Sequence, residues 1–262
     1  MHYFNRIRTR YILHRHPISH DLWKKVSDSL DILHGMTAVE KAHLRELITL
    51  FISQKTFVGA QDMELTDSMC VVIAIQACLP ILKLGLNCLS GWREIIVYPN
   101  AFIVNRDVTD SSGVVHHENK VLIGESWTRG PLILSWHDVE KAMSGAHKGS
   151  NVVIHEIAHK LDILNGSANG FPPLHNDMAI KEWSTSLSAA YDSLCRRLNH
   201  HDTCCINAYA TTNPAEFFAV ITEYFFCAPD ILNTHFPDIY KQLLLYYRQD
   251  TLMRRHDFSA LN

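Results

Sequence analysis

The chain has 262 residues, with 24 lysines and arginines against 27 aspartates and glutamates, 47% hydrophobic residues and 19% charged ones. That is enough apolar material for a packed core without covalent staples, and it excludes a disordered acidic segment and a collagen-like repeat. A formal charge of -3 supplies no global field for a polyanion, so neither nucleic acid nor an anionic membrane is expected as a partner.

The basic opening, residues 1–19, lacks the continuous apolar stretch of a secretory signal, so export is not expected. Apolar residues then recur at helical spacing from Asp21 to about Phe57. Leu22, Val26, Leu30 and Leu33 form one set, and Leu44, Leu47, Ile48 and Phe51 another, with Thr37 and Glu40 spaced as a capping box. Two amphipathic helices are predicted there. A third runs from Asp67 to Leu79 and stops at Pro80. Residues 71–89 approach membrane-spanning length, but Gln76, Pro80, Lys83 and Asn87 interrupt them, which reads as buried structure broken near Pro80.

After Gly91 the texture changes. Residues 93–99, 102–108 and 120–127 are short, rich in Val and Ile and separated by turn formers, so they predict strands. Residues 130–136, GPLILSW, are a further candidate, suited to a sheet edge. From Ser150 the helical period returns, stops in a loop from Asn165 to Pro173, resumes from Ile180 to about Leu198, and returns again from Pro214 to Phe226. Helices, then strands, then helices favour an α+β fold over a doubly wound parallel sheet. The division expected is a helical portion at 20–90, a catalytic core at 91–247 and a tail at 248–262, rich in Arg and His, which reads as a solvated terminus. Seven cysteines, an odd number without a CxxC pair, fit reduced thiols in a cytoplasm better than a disulfide framework.

The chemistry is concentrated in His155-Glu156-Ile157-Ala158-His159. On a helix, residues four apart differ by about 40° in azimuth, so both imidazoles project from one face and can share a cation, with Glu156 beside them as a base. Even with 17 histidines, chance predicts only about 0.05 occurrences of this pattern in such a chain. Val152, Val153, Ile154 and Ile157 make the helix a buried one, where two histidines and a glutamate cost free energy unless ligated or paired. Zinc, one ion per chain, fits His nitrogen ligands in a tetrahedral site.

A catalytic zinc site takes three protein ligands. The extended pattern HExxHxxGxxH is absent, because Asp162 and Asn165 stand where it requires Gly and His. The third ligand is therefore sought in a second helix. Asn213 can cap that helix, Pro214 takes its first position, and Glu216 lies in its first turn. Glu223, seven residues on and on nearly the same face, is the rival, read second as a group that orients an imidazole. Asp162 is open between accepting the free N–H of a ligating imidazole and being a surface charge. The histidines at 14, 16, 20, 116, 117, 175, 200 and 201 read as solvated loop residues. Phe217, Phe218, Tyr224, Phe225 and Phe226 read as helix packing.

Residues 155–174 and 208–226, with weaker support at 55–60, 73–82, 95–99 and 130–136, resemble the Mlc titration factor A family of zinc peptidases, whose catalytic core is similar to that of anthrax lethal factor. The resemblance implies a zincin-like core with an N-terminal helical portion packed on it. It implies His155, His159 and Glu216 as zinc ligands, Glu156 as general base, and Tyr209 as the tyrosine seven residues before the third ligand. A phenol beside zinc could also brace a developing oxyanion, which gives Tyr209 a chemical rationale of its own. The resemblance further implies peptide or protein substrates, aminopeptidase character, and as an alternative role the sequestration of the glucose repressor Mlc, which links the family to the sugar phosphotransferase system.

Overall fold

The computed structural model describes residues 2–100, 106–109, 115–118, 130–144, 148–200 and 204–260. Helix α1 (His2–Arg15) opens the chain, followed by α2 (His20–Ser27) and α3 (Ala38–Gln54). The capping box forms as expected: the Glu40 N–H donates to the Thr37 hydroxyl at 3.2 Å and the Thr37 N–H to the Glu40 carboxylate at 3.0 Å. Val26, Leu30, Leu33, Leu44, Leu47, Ile48 and Phe51 are buried.

The helical reading up to about Phe57 overshoots. Lys55 is already extended, and Thr56–Gly59 form strand β1. The buried Lys55 ammonium donates to the carbonyls of Leu89 at 2.6 Å and Trp92 at 2.7 Å and lies 3.5 Å from the centre of the Trp92 indole. That anchor fixes the chain against the 89–92 turn, and the β-branched Thr56 and Val58 continue as strand. Helix α4 (Asp67–Cys78) is capped by Thr66, and residues 71–78 are all buried. No described helix is long and apolar enough to cross a membrane.

Strands β2 (Glu94–Tyr98), β3 (Arg106–Thr109), β4 (Val115–Glu118) and β5 (Leu132–Ser135) follow. The main sheet has the order β1-β2-β5 and is parallel throughout, with Val58 opposite Ile96 and Ile96 opposite Ile133. Among the described residues β5 is an edge strand, as its sequence suggested. Strands β3 and β4 form a separate antiparallel pair. The strand expected at 102–108 is described only from Arg106, and the one expected at 120–127 lies outside the described residues, as do the side chains of His116 and His117 and the whole of His201. The architecture is α+β: helices around a small sheet whose strands happen to be parallel.

Helices α5 (Trp136–Met143), α6 (Val152–Asp162), α7 (Ile180–Asn199) and α8 (Pro214–Cys227) build the second half. Helix α6 packs on α8, α4, α5 and β5. The aromatic residues of α8 are buried, as read from sequence. Helices α9 (Pro229–His235) and α10 (Pro237–Tyr247) each begin with proline at the first helical position, a signal the periodicity reading passed over.

Two expectations fail here. His175 is not a solvated loop residue: its Nε2 lies 2.8 Å from the Tyr246 carbonyl, one of the last of α10, which has no acceptor role left within its own helix. The tail is not wholly solvated either. Residues Thr251–Ala260 form α11, after a left-handed turn at Arg248. Gln249 donates to the Leu79 carbonyl at 2.9 Å, and Arg254 pairs with Glu40 at 2.6 Å. A Cβ on Gly35, which has φ +74, would meet the Arg254 carbonyl oxygen at 1.8 Å, so only glycine lets the strap lie this close. All seven cysteines are unpaired.

Burial pushes the Glu40 carboxyl up, but the Arg254 and Thr37 hydrogen bonds outweigh it and hold the group below its ordinary value. A depressed carboxylate stabilises the fold above its unfolded pKa of about 4.3 and loses that contribution as pH falls through the folded value. Arg254→Ala should cost about 1–3 kcal/mol, or several degrees in Tm. In thermal melts the gap between the parent and Glu40→Gln should be open at pH 7 and close below about pH 4.

Candidate metal centre

Asn151 starts α6 by accepting the Ile154 N–H at 3.0 Å on its side-chain oxygen, and Val153, Ile154, Ile157, Ala158 and Leu161 bury its inner face. This leaves His155 and His159 on one flank, one turn apart, with ring centres 4.7 Å from each other. Asn213 performs the same service for α8, accepting the Glu216 N–H at 2.9 Å, with Pro214 in the first turn. Glu216 and Glu223 thus sit two turns apart on the face of α8 that meets α6.

The consequence is a cluster of three ligand atoms. His155 Nε2 lies 3.0 Å from Glu216 Oε2, His159 Nε2 lies 3.3 Å from the same oxygen, and the two Nε2 atoms are 3.1 Å apart. A tetrahedral ion with bonds of about 2.0–2.2 Å keeps its ligand atoms about 3.3 Å apart. Among the described residues this is the group of His, Cys, Asp and Glu side chains compact enough to hold a metal ion. Glu223 takes the orienting place instead: its Oε1 is 2.8 Å from His155 Nδ1, and its Oε2 accepts the Asn151 N–H. A carboxylate only accepts, so the Nδ1 proton of His155 goes to Glu223, and Nε2 is the ring atom turned toward Glu216 and His159.

The electrostatics show how strongly the cluster demands positive charge. Burial opposes charge on His155, yet hydrogen bonds to Glu216 and Glu223 overcome it and raise the imidazole to about 10. Burial likewise pushes Glu216 up, but His155 and His159 hold its carboxyl at about 2. Glu216 is 2% exposed, so its negative charge has no access to water worth the name and demands a positive neighbour. Either an imidazolium or a cation satisfies it, and three converging lone pairs favour a cation.

Tyr209 stands on a short turn, Ala208–Thr211, just before α8, with its ring centre 6.0 Å from that of His155. Burial and then Glu216 push its phenol up to about 12, so it keeps its proton through the neutral range. Glu156 is close enough to His155, Tyr209 and Lys160 to act on the charge of each. Asp162, fully buried at the end of α6, is no surface charge: its Oδ2 accepts the Gly170 N–H at 2.8 Å.

Sequence reasoning missed three supports of this site. Asn151 caps α6 and binds Glu223, and an Asn ahead of the apolar run was its signal. Gly149, φ +85, lies against the Tyr224 ring, where a Cβ would come within 2.5 Å. Lys160 donates to the Gly130 carbonyl at 2.9 Å and so ties α6 to the chain two residues before β5. Nothing in the sequence marks that contact. Replacing Glu223 by Gln should keep the fold but weaken affinity for a divalent transition metal about 10–100-fold in chelator competition, because the His155 ring loses its charged orienting partner.

The sequence profile described as glucose-regulated metallo-peptidase M90 matches residues 4–248. Mlc titration factor A of Escherichia coli (strain 55989 / EAEC) is 36% identical over 242 residues, which cover 89% of this chain and 91% of that protein. The protein of the same name from Salmonella arizonae is 39% identical over 231 residues, 86% of this chain and 90% of the relative, and that from Klebsiella pneumoniae is 36% identical over 231 residues, 87% and 86%. The chain therefore belongs to the glucose-regulated metallo-peptidase M90 family.

Proposed function

We propose that this chain is a zinc-dependent peptidase in which His155, His159 and Glu216 hold the ion and Glu156 is the general base. The observation that supports it most is the triangle of two imidazole nitrogens and one carboxylate oxygen with sides of 3.0, 3.1 and 3.3 Å. Two nitrogens and one oxygen are the donor set of zinc sites that keep a fourth position open for chemistry. Bound there, the ion supplies Lewis acidity toward a peptide carbonyl and toward water.

The chain's own groups do the rest. Glu156 takes a proton from the attacking water and returns it to the leaving amine. Tyr209, protonated at neutral pH, donates to the carbonyl oxygen as that oxygen gains charge. Glu223 keeps the His155 lone pair aimed into the site. An extended peptide pairs with the open edge of β5, which reads backbone and demands little of side chains, and α6 packs against that strand. Short peptides cleaved from their amino end, in a reducing cytoplasm that leaves seven thiols free, complete the reading.

A second role concerns a protein partner. The relatives carry the name Mlc titration factor A, and we extend binding of an Mlc-like repressor to this chain, either as a target or as a regulator. Glu156→Gln separates the two activities. The variant should retain zinc and lose at least about 100-fold in peptide turnover, the usual worth of a general base. Full turnover in that variant overturns the assignment of Glu156, whereas undiminished capture of the repressor by it would support sequestration. A metal chelator should abolish cleavage, zinc should restore it, and acetylating the substrate's amino terminus should block it.

A further inference from the structure

The main sheet is parallel, so its three strands start at one end: β1 at Thr56, β2 at Glu94 and β5 at Leu132. The residues just ahead of those starts gather around one indole. Trp92, two residues before β2, is 4% exposed and packs edge-on against Phe51, with ring centres 6.2 Å apart. Its own N–H has no hydrogen-bond partner among the described residues, so packing and two ammonium groups hold the ring. Lys55, immediately before β1, places its ammonium 3.5 Å from the ring centre, and Lys160 places its own at 5.4 Å. The Lys55 ammonium closes onto the carbonyls of Leu89 and Trp92, ahead of β2. That of Lys160 closes onto the Gly130 carbonyl, two residues ahead of β5.

Lys160 differs from Lys55 in belonging to no part of the sheet. It lies on α6, next in the chain after His159 and one turn beyond Glu156. Residues four apart on a helix are neighbours on one face, so Glu156 and Lys160 share a flank of α6. Lys160 is 7% exposed, and a buried ammonium that loses its acceptor is costly, which makes its bond to Gly130 a firm one. The flank of the helix that carries Glu156 is thereby fastened, one turn along, to the start of β5. That strand is the edge of the main sheet among the described residues.

We propose that Lys160 is a positioning residue that fixes β5 against α6 along the strand direction, so that a peptide paired with β5 brings its scissile carbonyl to the metal centre. The proposal rests on the reading that extended substrate pairs with the open edge of β5. A strand advances about 3.3 Å per residue, and a misplacement of about 1 Å at the reacting centre can cost about 100-fold in rate, so a strand free to slide would spoil alignment. A substrate too short to pair with β5 does not sense where the strand lies.

Comparing two substrates tests this: an extended peptide of about six residues, a usual strand length, and a single-residue aminoacyl anilide. The parent should show the higher kcat/KM on the peptide. Lys160→Met keeps the apolar stem and removes the ammonium, and should lower the peptide-to-anilide ratio of kcat/KM about 10-fold or more. Taking the ratio cancels what the variant does through Glu156, whose charge reaches Lys160. Lys160→Arg, still able to donate to Gly130, should restore most of the ratio. Equal losses on both substrates, or a ratio within about twofold of the parent's, overturn the proposal and leave the β5 reading standing. A parent that cleaves both substrates equally well overturns the β5 reading and the proposal with it, and one that cleaves neither overturns the peptidase reading as well. Should Lys160→Met fail to fold, Lys160→Gln, polar but too short to keep the ammonium's position, decides by the same ratio.

Discussion

The second half of this molecule depends on two carboxylates that have been taken out of water. Glu216 and Glu223 project from one face of α8 into a region made of aromatic and aliphatic side chains, where an isolated negative charge costs several kcal/mol. Their cost is met by the imidazoles of α6, and by the backbone amide of Asn151. That exchange accompanies the most extensive helix contact among the described residues, the one between α6 and α8. The metal centre is therefore not an ornament on a finished core. It is the polar half of the contact between the helices, and the aromatic residues of α8 are the apolar half.

The same arrangement explains how rigid the site is. Both α6 and α8 begin with an asparagine cap that fixes the first turn, and Glu216 sits in such a turn, where fraying would otherwise be greatest. A site built from helix middles would need less support. Here Gly170 packs against Pro214 and Gly149 against the Tyr224 ring, both so closely that a Cβ would collide, and Trp183 holds the Gly170 carbonyl. Precision is supplied by contacts made outside the His-His-Glu cluster.

Much of this was legible because local patterns carried it. The HExxH run, the Asn-Pro start of α8 and the Thr37 capping box are short-range features that the sequence writes in adjacent letters, and the α+β order followed from the alternation of periods. The end of α3 was not legible, because a buried ammonium seeking carbonyls 34 and 37 residues away overrides a helical period. The strap at the end of the chain escaped for the same reason. Arg254 and Gln249 look like surface residues until the partner 214 or 170 residues upstream is known. Asp162 could be read either way, since a carboxylate three residues past a ligand looks identical whether it faces solvent or a loop amide.

Those long-range contacts bear on how the chain is made. Gln249 and Arg254 close onto Leu79, Gln249's neighbour in space, and onto Glu40, so the first ninety residues wait for the last fifteen. Because a chain is made from its amino end, α3 and α4 exist before residues 249–254 do and emerge with one flank uncovered. A nascent chain that had not yet delivered residues 249–254 would present that bare flank to chaperones and proteases while already carrying His155, His159 and Glu216.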